Sequence, residues 1–397
     1  MTEWIRKNLG EITSFITKGI PPKYAEKENQ DTVRVLNQKC NRNFEISYEE
    51  SRIHNAAIKK IPEDKYLRYG DVLINSTGMG TAGRVAQIFN VVEPTTIDGH
   101  MILIRPTNEI DSLYYGYAIK GYQKKIESLA EGSTGQTEIN RRRLQEEIMI
   151  FFPREKALQK AIGTFLFQID EKIRNNKQIN NNLEQQAQAI FANEFLSLDT
   201  LPEGWKQASL IDIADYLNGL AMQKYRPTVD ESGIPVLKIK ELRQGCYDDN
   251  SELCSPSIKS DYIIHDGDVI FSWSGSLLVD LWCGGICGLN QHLFKVTSSK
   301  YDKWFYYAWT KHHLGRFVAV AADKATTMGH IKRDELAKAE VLIPNETDYN
   351  RIGALLQPIY EMIISNRIEN KKLATTRDTL LPKLMNGEID MSEVDYE

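Results

Sequence analysis

Two loops of this 397-residue chain carry side chains whose types and spacing fit nucleic-acid chemistry. They lie at residues 132–144 and 325–336 and mix glycine and hydroxyl residues with amide, imidazole or basic groups. Small residues let the backbone approach phosphates, amides and imidazoles can hydrogen-bond base edges, and Lys and Arg neutralise phosphates. The alternative is a solvated loop that caps a short helix, with Asn140 as an ordinary N-cap. The DNA-contact candidates here are Ser133, Thr134, Gln136, Asn140, Arg141, Arg142, Arg143, Thr326, Thr327, His330, Lys332 and Arg333.

Two further turns and several basic residues are weaker candidates. A Gly-Asp-Val sequence recurs at residues 70–72 and 267–269, and each copy is followed by an apolar run and a turn rich in hydroxyl groups. These turns either touch DNA or simply end strands, with Trp273 as a packing residue. The candidates from these turns and from nearby basic residues are Ser76, Thr77, Arg84, Ser272, Trp273, Ser274, Lys18, Lys23, Lys224, Tyr225, Arg226, Lys238 and Lys240.

Motifs for catalysis and metal binding are missing from the sequence. We find neither a Walker A loop, nor an Asn/Asp-Pro-Pro-Tyr/Phe motif for a flipped base, nor a glycine-rich S-adenosylmethionine turn after a strand. Residues 78–83 match G-x-G-x-x-G loosely, but residues 275–277 of the second copy do not. His100 and His292 precede corresponding strands, which favours a shared packing role. The spacings among Cys246, Cys254, Cys283 and Cys287 do not match structural zinc sites. We therefore expect no catalytic residue, metal or cofactor in this chain.

The elements that must position these residues are duplicated. Residues 72–74, 101–104, 269–271 and 292–296 are predicted strands, and helical patterns follow at residues 113–129 and 304–320. Each copy is therefore an α/β or α+β unit with a sheet of several strands. A duplicated unit predicts approximate two-fold symmetry, which suits a partner with two similar faces such as duplex DNA.

A long helix with a heptad pattern follows each copy. The first stripe predicts a coiled-coil seam, and a second set repeats it at an offset of 190 residues, including Asn176 with Asn366. We expect the two helices to pair antiparallel, with Asn176 and Asn366 meeting near the middle and fixing the register; otherwise both are surface positions. A helix of about 40 residues is roughly 60 Å long and could act as a ruler between half-sites. The two sets of stripe positions are Ile162, Leu166, Ile169, Ile173, Asn176, Asn180, Leu183, Ala187 and Ile190, and then Ile352, Leu356, Ile359, Ile363, Asn366, Asn370, Leu373, Leu380 and Leu384.

Composition sets broad limits on function. Hydrophobic residues make up 42% and charged residues 26%, which is ordinary for a globular protein, and no apolar run is long enough for a membrane span. The N-terminus lacks the apolar core of a signal peptide, and five cysteines without a disulfide framework indicate reduced thiols in a cytoplasm. The net charge of −5 leaves open a protein that never meets DNA. If the chain binds DNA, its basic residues must be concentrated on one face.

Taken in order, these motifs resemble the specificity (S) subunit of type I restriction-modification systems over essentially the whole chain. The resemblance depends on the two Gly-Asp-Val strands and the two heptad helices. It also depends on Leu-Pro-Glu-Gly-Trp at residues 201–205, Leu-Asn-Gln-His at 289–292 and the segment 380–389. The first copy keeps only Trp4 of the Leu-Pro-Glu-Gly-Trp motif.

The resemblance implies a division of labour in a prokaryotic cytoplasm. Target-recognition domains at residues 1–153 and 199–344 would each read one half of a bipartite, asymmetric sequence in double-stranded DNA. Helices at residues 154–198 and 345–397 would set the spacer and dock partners. Two methyltransferase (M) subunits and two restriction (R) subunits would supply methylation with S-adenosylmethionine, and ATP hydrolysis with Mg²⁺.

Other functions stay open at this point. A stand-alone methyltransferase or nuclease would need a catalytic constellation and would act without partners. A coiled-coil scaffold would show no sequence-dependent DNA binding, and a lone DNA-binding protein such as a repressor would bind without restriction-modification partners.

Overall fold

The computed structural model describes residues 3–132, 137–323 and 333–391. The chain divides into two compact units, Met1–Glu171 with Ala374–Glu397, and Lys172–Leu373. In the first unit the helices α1 to α3 span Ser112–Gly121, Gln123–Ser128 and Arg141–Glu147, and α4, Lys156–Phe191, begins there. Strands β1 to β13 of this unit are Trp4–Asn8, Thr13–Lys18, Thr32–Leu36, Asn41–Arg42, Glu45–Ile46, Arg52–Asn55, Val72–Asn75, Val85–Gln87, Thr95–Ile97, Met101–Pro106, Ala130–Glu131, Glu138–Ile139 and Met149–Pro153.

The second unit is built from a matching set of elements. Its helices α5 to α10 are Leu210–Ile213, Ile239–Gln244, Lys303–His312, Leu314–Asp323, Arg333–Ala337 and Glu346–Met385, the last of which ends among residues of the first unit. Its strands β14 to β23 are Lys206–Ser209, Asp215–Asn218, Ile234–Leu237, Leu253–Cys254, Ile263–Ile264, Val269–Ser272, Leu278–Leu281, Cys287–Leu289, Leu293–Thr297 and Glu340–Ile343.

The two units share one strand topology. The order β2-β10-β7-β8 in the first unit corresponds to β15-β22-β19-β20 in the second, and all neighbours in both sheets are antiparallel. The pair β1-β13 corresponds to β14-β23, and the parallel pair β3-β9 corresponds to β16-β21. The duplication predicted from the sequence is therefore confirmed in the mixed α and β fold of each unit.

The central strands of both sheets are fully buried. Every residue of β7 and β19 is inaccessible to solvent, and the adjoining strands β10 and β22 are largely so. Such continuous apolar runs are typical of strands with both faces covered. Each predicted helical stretch is two helices, because the chain leaves the helix at Tyr122 between α1 and α2 and at His313 between α7 and α8.

The structure also explains the repeated Gly-Asp-Val sequence. Gly70 and Gly267 have φ values of 85° and 86°, in the left-handed region that favours glycine. Asp71 is buried, and its carboxylate accepts hydrogen bonds from Nε and Nη2 of Arg105 at 2.7 and 3.0 Å. Arg105 lies on the adjacent strand β10. Asp268 pairs with Lys295, 190 residues after Arg105, at 3.0 Å. The motif therefore joins a turn to the central sheet in each unit.

The heptad stripes form the buried side of the two long helices. All the stripe positions are buried or half-buried, and Asn176 and Asn366 are 1% and 8% exposed. The surface alternative for these two residues is therefore excluded. Within the second unit, Asn176 contacts Asn370 while Asn180 contacts Asn366, so the sequence numbers rise on one helix as they fall on the other. The predicted antiparallel pairing is confirmed.

The predicted contact between Asn176 and Asn366 is wrong. The Nδ2 group of Asn366 donates to Oδ1 of Asn180 at 2.9 Å, and Asn180 donates to the carbonyl of Ile363 at 3.2 Å. In the mirror arrangement Asn176 donates to Asn370 at 2.9 Å, and Asn370 donates to the carbonyl of Ile173. An offset of 190 residues converts one relay into the other. Asn176 and Asn366 therefore do not contact each other, and each contacts the asparagine four residues beyond its counterpart, Asn370 or Asn180. The reason is that the side chains of antiparallel helices interleave rather than face their own counterparts.

A buried ionic cluster in the first unit surrounds Asp170, which lies in the N-terminal half of α4. Asp170 accepts hydrogen bonds from Tyr117 at 2.7 Å and from Arg377, and Nζ of Lys120 lies 3.5 Å away. Burial opposes ionisation of Asp170, but Lys120 and Arg377 outweigh it and lower the pKa of the carboxyl group. Burial lowers the pKa of Lys120 to about 8. The Lys120 ammonium also lies 4.4 Å from the ring centre of Phe44.

Three simpler expectations can be compared with the fold. All five cysteines lie within the described ranges, and each is a free thiol. None of the helices in those ranges is both long and apolar enough to cross a membrane. In the same part of the chain, no cluster of three or more His, Cys, Asp or Glu side chains could hold a metal ion.

Candidate nucleic-acid interface

The first unit brings three separately predicted segments together. The N–H of Ile139 donates to the carbonyl of Ser76 at 2.8 Å, and Thr77 forms a β-bridge with Glu138. Glu138 in turn forms an ion pair with Lys18 at the end of β2. The turn after β7, strand β12 and Lys18 therefore form one surface, which we call the first-unit surface.

A solvent-open cleft of about 620 Å³ lies in this surface. Its lining combines two isoleucines with polar side chains and with charges of both signs. The residues that line it are Ile16, Lys18, Glu131, Glu138, Ile139, Asn140, Arg141, Arg142 and Gln145.

The short helix α3 at the rim holds most of its charges in internal contacts. Asn140 caps this helix, because its side chain accepts the backbone N–H of Arg142 at 2.8 Å, so the N-cap alternative is confirmed. Arg142 pairs with Glu146 at 2.8 Å, and Arg143 pairs with Glu131 and Glu147. Arg141 is exposed and forms no ion pair with any other residue in the described ranges. Arg141 can therefore bind a phosphate without first breaking an ion pair with a carboxylate.

The first residue of each hydroxyl-rich turn is a structural residue. Ser76 and Ser272 are fully buried, and Ser272 donates to the carbonyls of Ser274 and Ser276. Direct DNA contact by these two side chains is contradicted by their burial, and the reason is that Ser272 is the last residue of β19 and Ser76 directly follows β7. Ser274 is 3% exposed and hydrogen-bonds Nδ1 of His292 at 3.1 Å.

The remaining turn residues differ between the units. Thr77 is half-buried, and its hydroxyl lies 2.9 Å from Nδ1 of His100. The guanidinium of Arg84 donates to the carbonyl of Gly80 at 3.0 Å, within its own turn. Trp273 stacks on Phe294 and donates its indole N–H to Asn218 at 3.0 Å, so its packing role is confirmed.

The basic candidates of the second unit surround acidic residues. Nζ of Lys238 lies 2.6 Å from Glu252, and Arg226 lies 3.5 Å from the same carboxylate. The hydrogen bond from Lys238 lowers the pKa of Glu252. Lys240 pairs with Asp248 at 2.9 Å, and its hydrogen bond lowers the pKa of that carboxyl group too. Carboxylates and DNA phosphates therefore compete for these cations.

The other predicted contacts are scattered. Lys224 and Tyr225 are exposed, as is Lys23 in the first unit. Arg333 is exposed at the start of α9 and donates to the carbonyl of Tyr216 at 3.2 Å. The candidates that lie outside the described residues are Ser133, Thr134, Gln136, Thr326, Thr327, His330 and Lys332.

Sequence reasoning missed two features of these surfaces. The first is the carboxylate beside most candidate cations. Arg142 and Glu146 are four residues apart on α3, which is a local signal, whereas Lys18 and Glu138 are 120 residues apart and have none. The second is the imidazole in each turn. His100 and His292 hydrogen-bond the hydroxyls of Thr77 and Ser274, and their matching places before β10 and β22 were the available signal. Neither pair is a hydrolytic triad, since Asp98 and Asn290 accept the backbone N–H of the histidine rather than its ring.

The arrangement serves recognition by hydrogen bonds and exchangeable ion pairs, and comparison with known proteins agrees. The family model of the type I restriction modification DNA specificity domain matches residues 1–185 and again 202–374. The MjaIX specificity subunit of Methanocaldococcus jannaschii is 26% identical over 378 residues, which cover 89% of this chain and 85% of that protein. The HindI specificity subunit of Haemophilus influenzae is 20% identical, over 98% of this chain and 100% of its own.

A solved structure supports the fold. The crystal structure of the type I restriction-modification S subunit from M. genitalium superposes with a TM-score of 0.61 at 16% identity, over 98% of this chain and 97% of that one. The two family matches coincide with the two copies whose strand order is the same. In type I systems the specificity subunit is the non-catalytic component that recognises DNA. The chain therefore belongs to the type I restriction-modification DNA specificity family.

Proposed function

We propose that each globular copy reads one half of a bipartite, asymmetric target in double-stranded DNA, and that the two long helices set the spacer between the halves. The observation that carries this proposal is the pair of asparagine relays, which an offset of 190 residues interconverts. A register fixed by buried amides gives a defined length, and a defined length is what a spacer requires. In this proposal residues 1–153 and 199–344 are the recognition domains, and residues 154–198 and 345–397 form the spacer.

The partners in this proposal are two methyltransferase subunits and two restriction subunits. S-adenosylmethionine, ATP and Mg²⁺ would bind to those subunits, and the complex would work on DNA in a prokaryotic cytoplasm, where the free thiols stay reduced. The outer face of α4 supports a protein partner there. Between residues 178 and 189 its single charged residue is Glu184, which is already paired with Arg367. An exposed face of Asn and Gln is less costly to cover with protein than a charged face.

The first test is co-expression with a type I methyltransferase subunit, followed by sequencing that detects methylated adenine in host DNA. We expect a bipartite motif, methylated in both halves, that disappears when this chain is omitted. DNA binding by the chain without any methyltransferase complex would favour a stand-alone binder. The absence of both a complex and DNA binding would favour a coiled-coil scaffold.

A second test addresses the spacer. Deleting one heptad from each long helix shortens it by about 10 Å, at 1.5 Å per residue. The spacer of the methylated motif should then shorten by about three base pairs, at 3.4 Å per pair, while both half-sites stay the same. A motif with an unchanged spacer in a folded, active complex would refute the ruler.

A further inference from the structure

The two units hold a histidine in the same way, at the start of the strand next to the Gly-Asp-Val strand. The backbone N–H of His100 donates to the side chain of Asp98 at 2.9 Å, and that of His292 donates to Asn290 at 3.3 Å. In each ring Nδ1 is occupied by the hydroxyl of the facing turn, Thr77 in one unit and Ser274 in the other. Backbone and ring are thus both fixed, from two directions.

A glycine directly after the neighbouring strand packs against the backbone of each histidine turn. A Cβ atom on Gly19 would lie 2.1 Å from the carbonyl oxygen of Asp98, and one on Gly219 would lie 2.2 Å from that of Asn290. Real side chains never come so close, so only glycine lets the two backbones touch. The chain then continues through a parallel bridge, from the residue after the glycine to Asp98 or Asn290. The position of each turn is therefore set by the backbone of its own sheet.

The contacts around Thr77 leave Nε2 of the His100 ring available. The Thr77 hydroxyl lies 2.9 Å from Nδ1 of His100 and donates to Oε1 of Gln38 at 3.4 Å. Nδ1 is therefore occupied by Thr77 in either tautomer of the ring. No residue in the described ranges hydrogen-bonds Nε2 of His100, and His100 is exposed.

Both histidines belong to the surfaces that would face DNA. Thr77, which holds His100, also forms the bridge to Glu138, next to Lys18. His292 is half-buried and lies beside Trp273, with ring centres 6.3 Å apart. The amide of Gln291 lies 3.5 Å from Nε2 of His292.

We propose that His100 and His292 each contact a base edge in the half-site read by its own unit, His100 through its Nε2. This inference rests on the proposed function. A phosphate can be bound by any mobile cation, and Lys18 lies close by for that purpose, whereas a short side chain fixed from two directions suits a base at one position. The packing role expected from the sequence occupies Nδ1 of each ring. Nε2 of His100 is then available for DNA, and Nε2 of His292 has a long contact of 3.5 Å to the amide of Gln291.

The test uses substitutions that separate the two ring nitrogens. In His100→Asn the amide reaches the position of Nδ1 and keeps the bond to Thr77, but nothing replaces Nε2. In His100→Gln the amide reaches the position of Nε2. Each variant, and the matching His292→Asn, is co-expressed with the methyltransferase subunit, and the methylated motif is read from host DNA. Thermal unfolding of each purified complex serves as the control for folding.

The expected outcomes are specific to one half of the motif. His100→Asn should relax one base position in one half-site, with a loss of discrimination of about 5- to 100-fold there, and should leave the other half and the spacer unchanged. His292→Asn should do the same in the other half, and His100→Gln should retain a preference at the affected position. An unchanged motif, or methylation weakened equally at all positions, would overturn the inference. A wild-type complex with no bipartite motif would instead overturn the proposed function.

Discussion

The asparagine relays allow one prediction to be worked through in energy. In Asn366→Leu, the Oδ1 atom of Asn180 loses its donor, although Asn180 is only 6% exposed. A buried acceptor left without a partner costs about 1–3 kcal/mol. The Asn180→Leu/Asn366→Leu double variant removes donor and acceptor together, while the carbonyl of Ile363 remains within helix α10. We therefore expect the double variant to be within about 1 kcal/mol of the wild type or more stable.

Differential scanning calorimetry of the full chain can measure this difference. For a domain of about 200 residues, each kcal/mol shifts the melting temperature by about 2–4 °C. The single variant should melt about 2–12 °C below the wild type, and the double variant should recover most of that loss. The mirror pair Asn176 and Asn370 should show a weaker coupling, because Asn176 also donates to the carboxylate of Glu369 at 2.6 Å and keeps that partner when Asn370 is replaced.

The control is the pair first expected from the sequence, Asn176 with Asn366. These two residues belong to different relays, so their effects should add within about 0.5 kcal/mol. The relay assignment would be refuted if the coupling were found in this pair and were absent between Asn180 and Asn366. It would also be refuted if the single Leu variants were as stable as the wild type, because a stranded buried amide must carry a cost.

Two other predictions use buried and exposed charges. The pKa of Lys120 falls from 10.5 to about 8 on folding, so this residue reduces stability below pH 8, and the reduction fades as the pH rises towards 10.5. Lys120→Met should therefore raise the melting temperature at pH 7. The rise should be smaller than the pKa shift of Lys120 alone implies, because Asp170 loses a partner. In scans near pH 10 the rise should disappear. At the other site, Glu252→Gln should raise the affinity for unrelated duplex DNA about 2- to 5-fold by releasing Lys238 and Arg226. That gain should vanish in a Lys238→Gln/Arg226→Gln background in gel-shift titrations. The control Asp249→Asn removes an exposed carboxylate that forms no ion pair with any described residue, and its effect should not depend on that background.

The fold could be predicted from the sequence wherever a periodic pattern decided it. Apolar runs located the central strands, and the spacing of seven located the side of each long helix that is buried. The contact partners of the asparagines could not be predicted in this way. Periodicity tells which side of a helix is buried, but the interleaving of two helices depends on their separation and on side-chain reach. The same limit hid the cluster around Asp170, whose other members lie 50 to 207 residues from Asp170 in the sequence.

The candidate site was less predictable than the fold. Residue type marked the turns and the basic segments as candidates, but it did not tell which members were buried, as Ser76 and Ser272 are. Nor could it reveal that Lys18 and Lys238 are paired with carboxylates, since these contacts arise only when distant strands come together. His100 and His292 were assigned to packing, because a histidine before a strand looks the same in sequence whether its second nitrogen is buried or accessible.

A comparison of the two units separates positioning from recognition. The strand order, the close backbone contact at Gly19 and Gly219 and the hydroxyl that holds each histidine occur in both. What differs lies on the surfaces: the turn of the first unit is rich in glycine, whereas Trp273 fills that of the second. Shared features can place a base reader equally well in both units, but they cannot distinguish two sequences. Two different half-sites must therefore be distinguished by the features that differ, and a target read by these two surfaces is asymmetric.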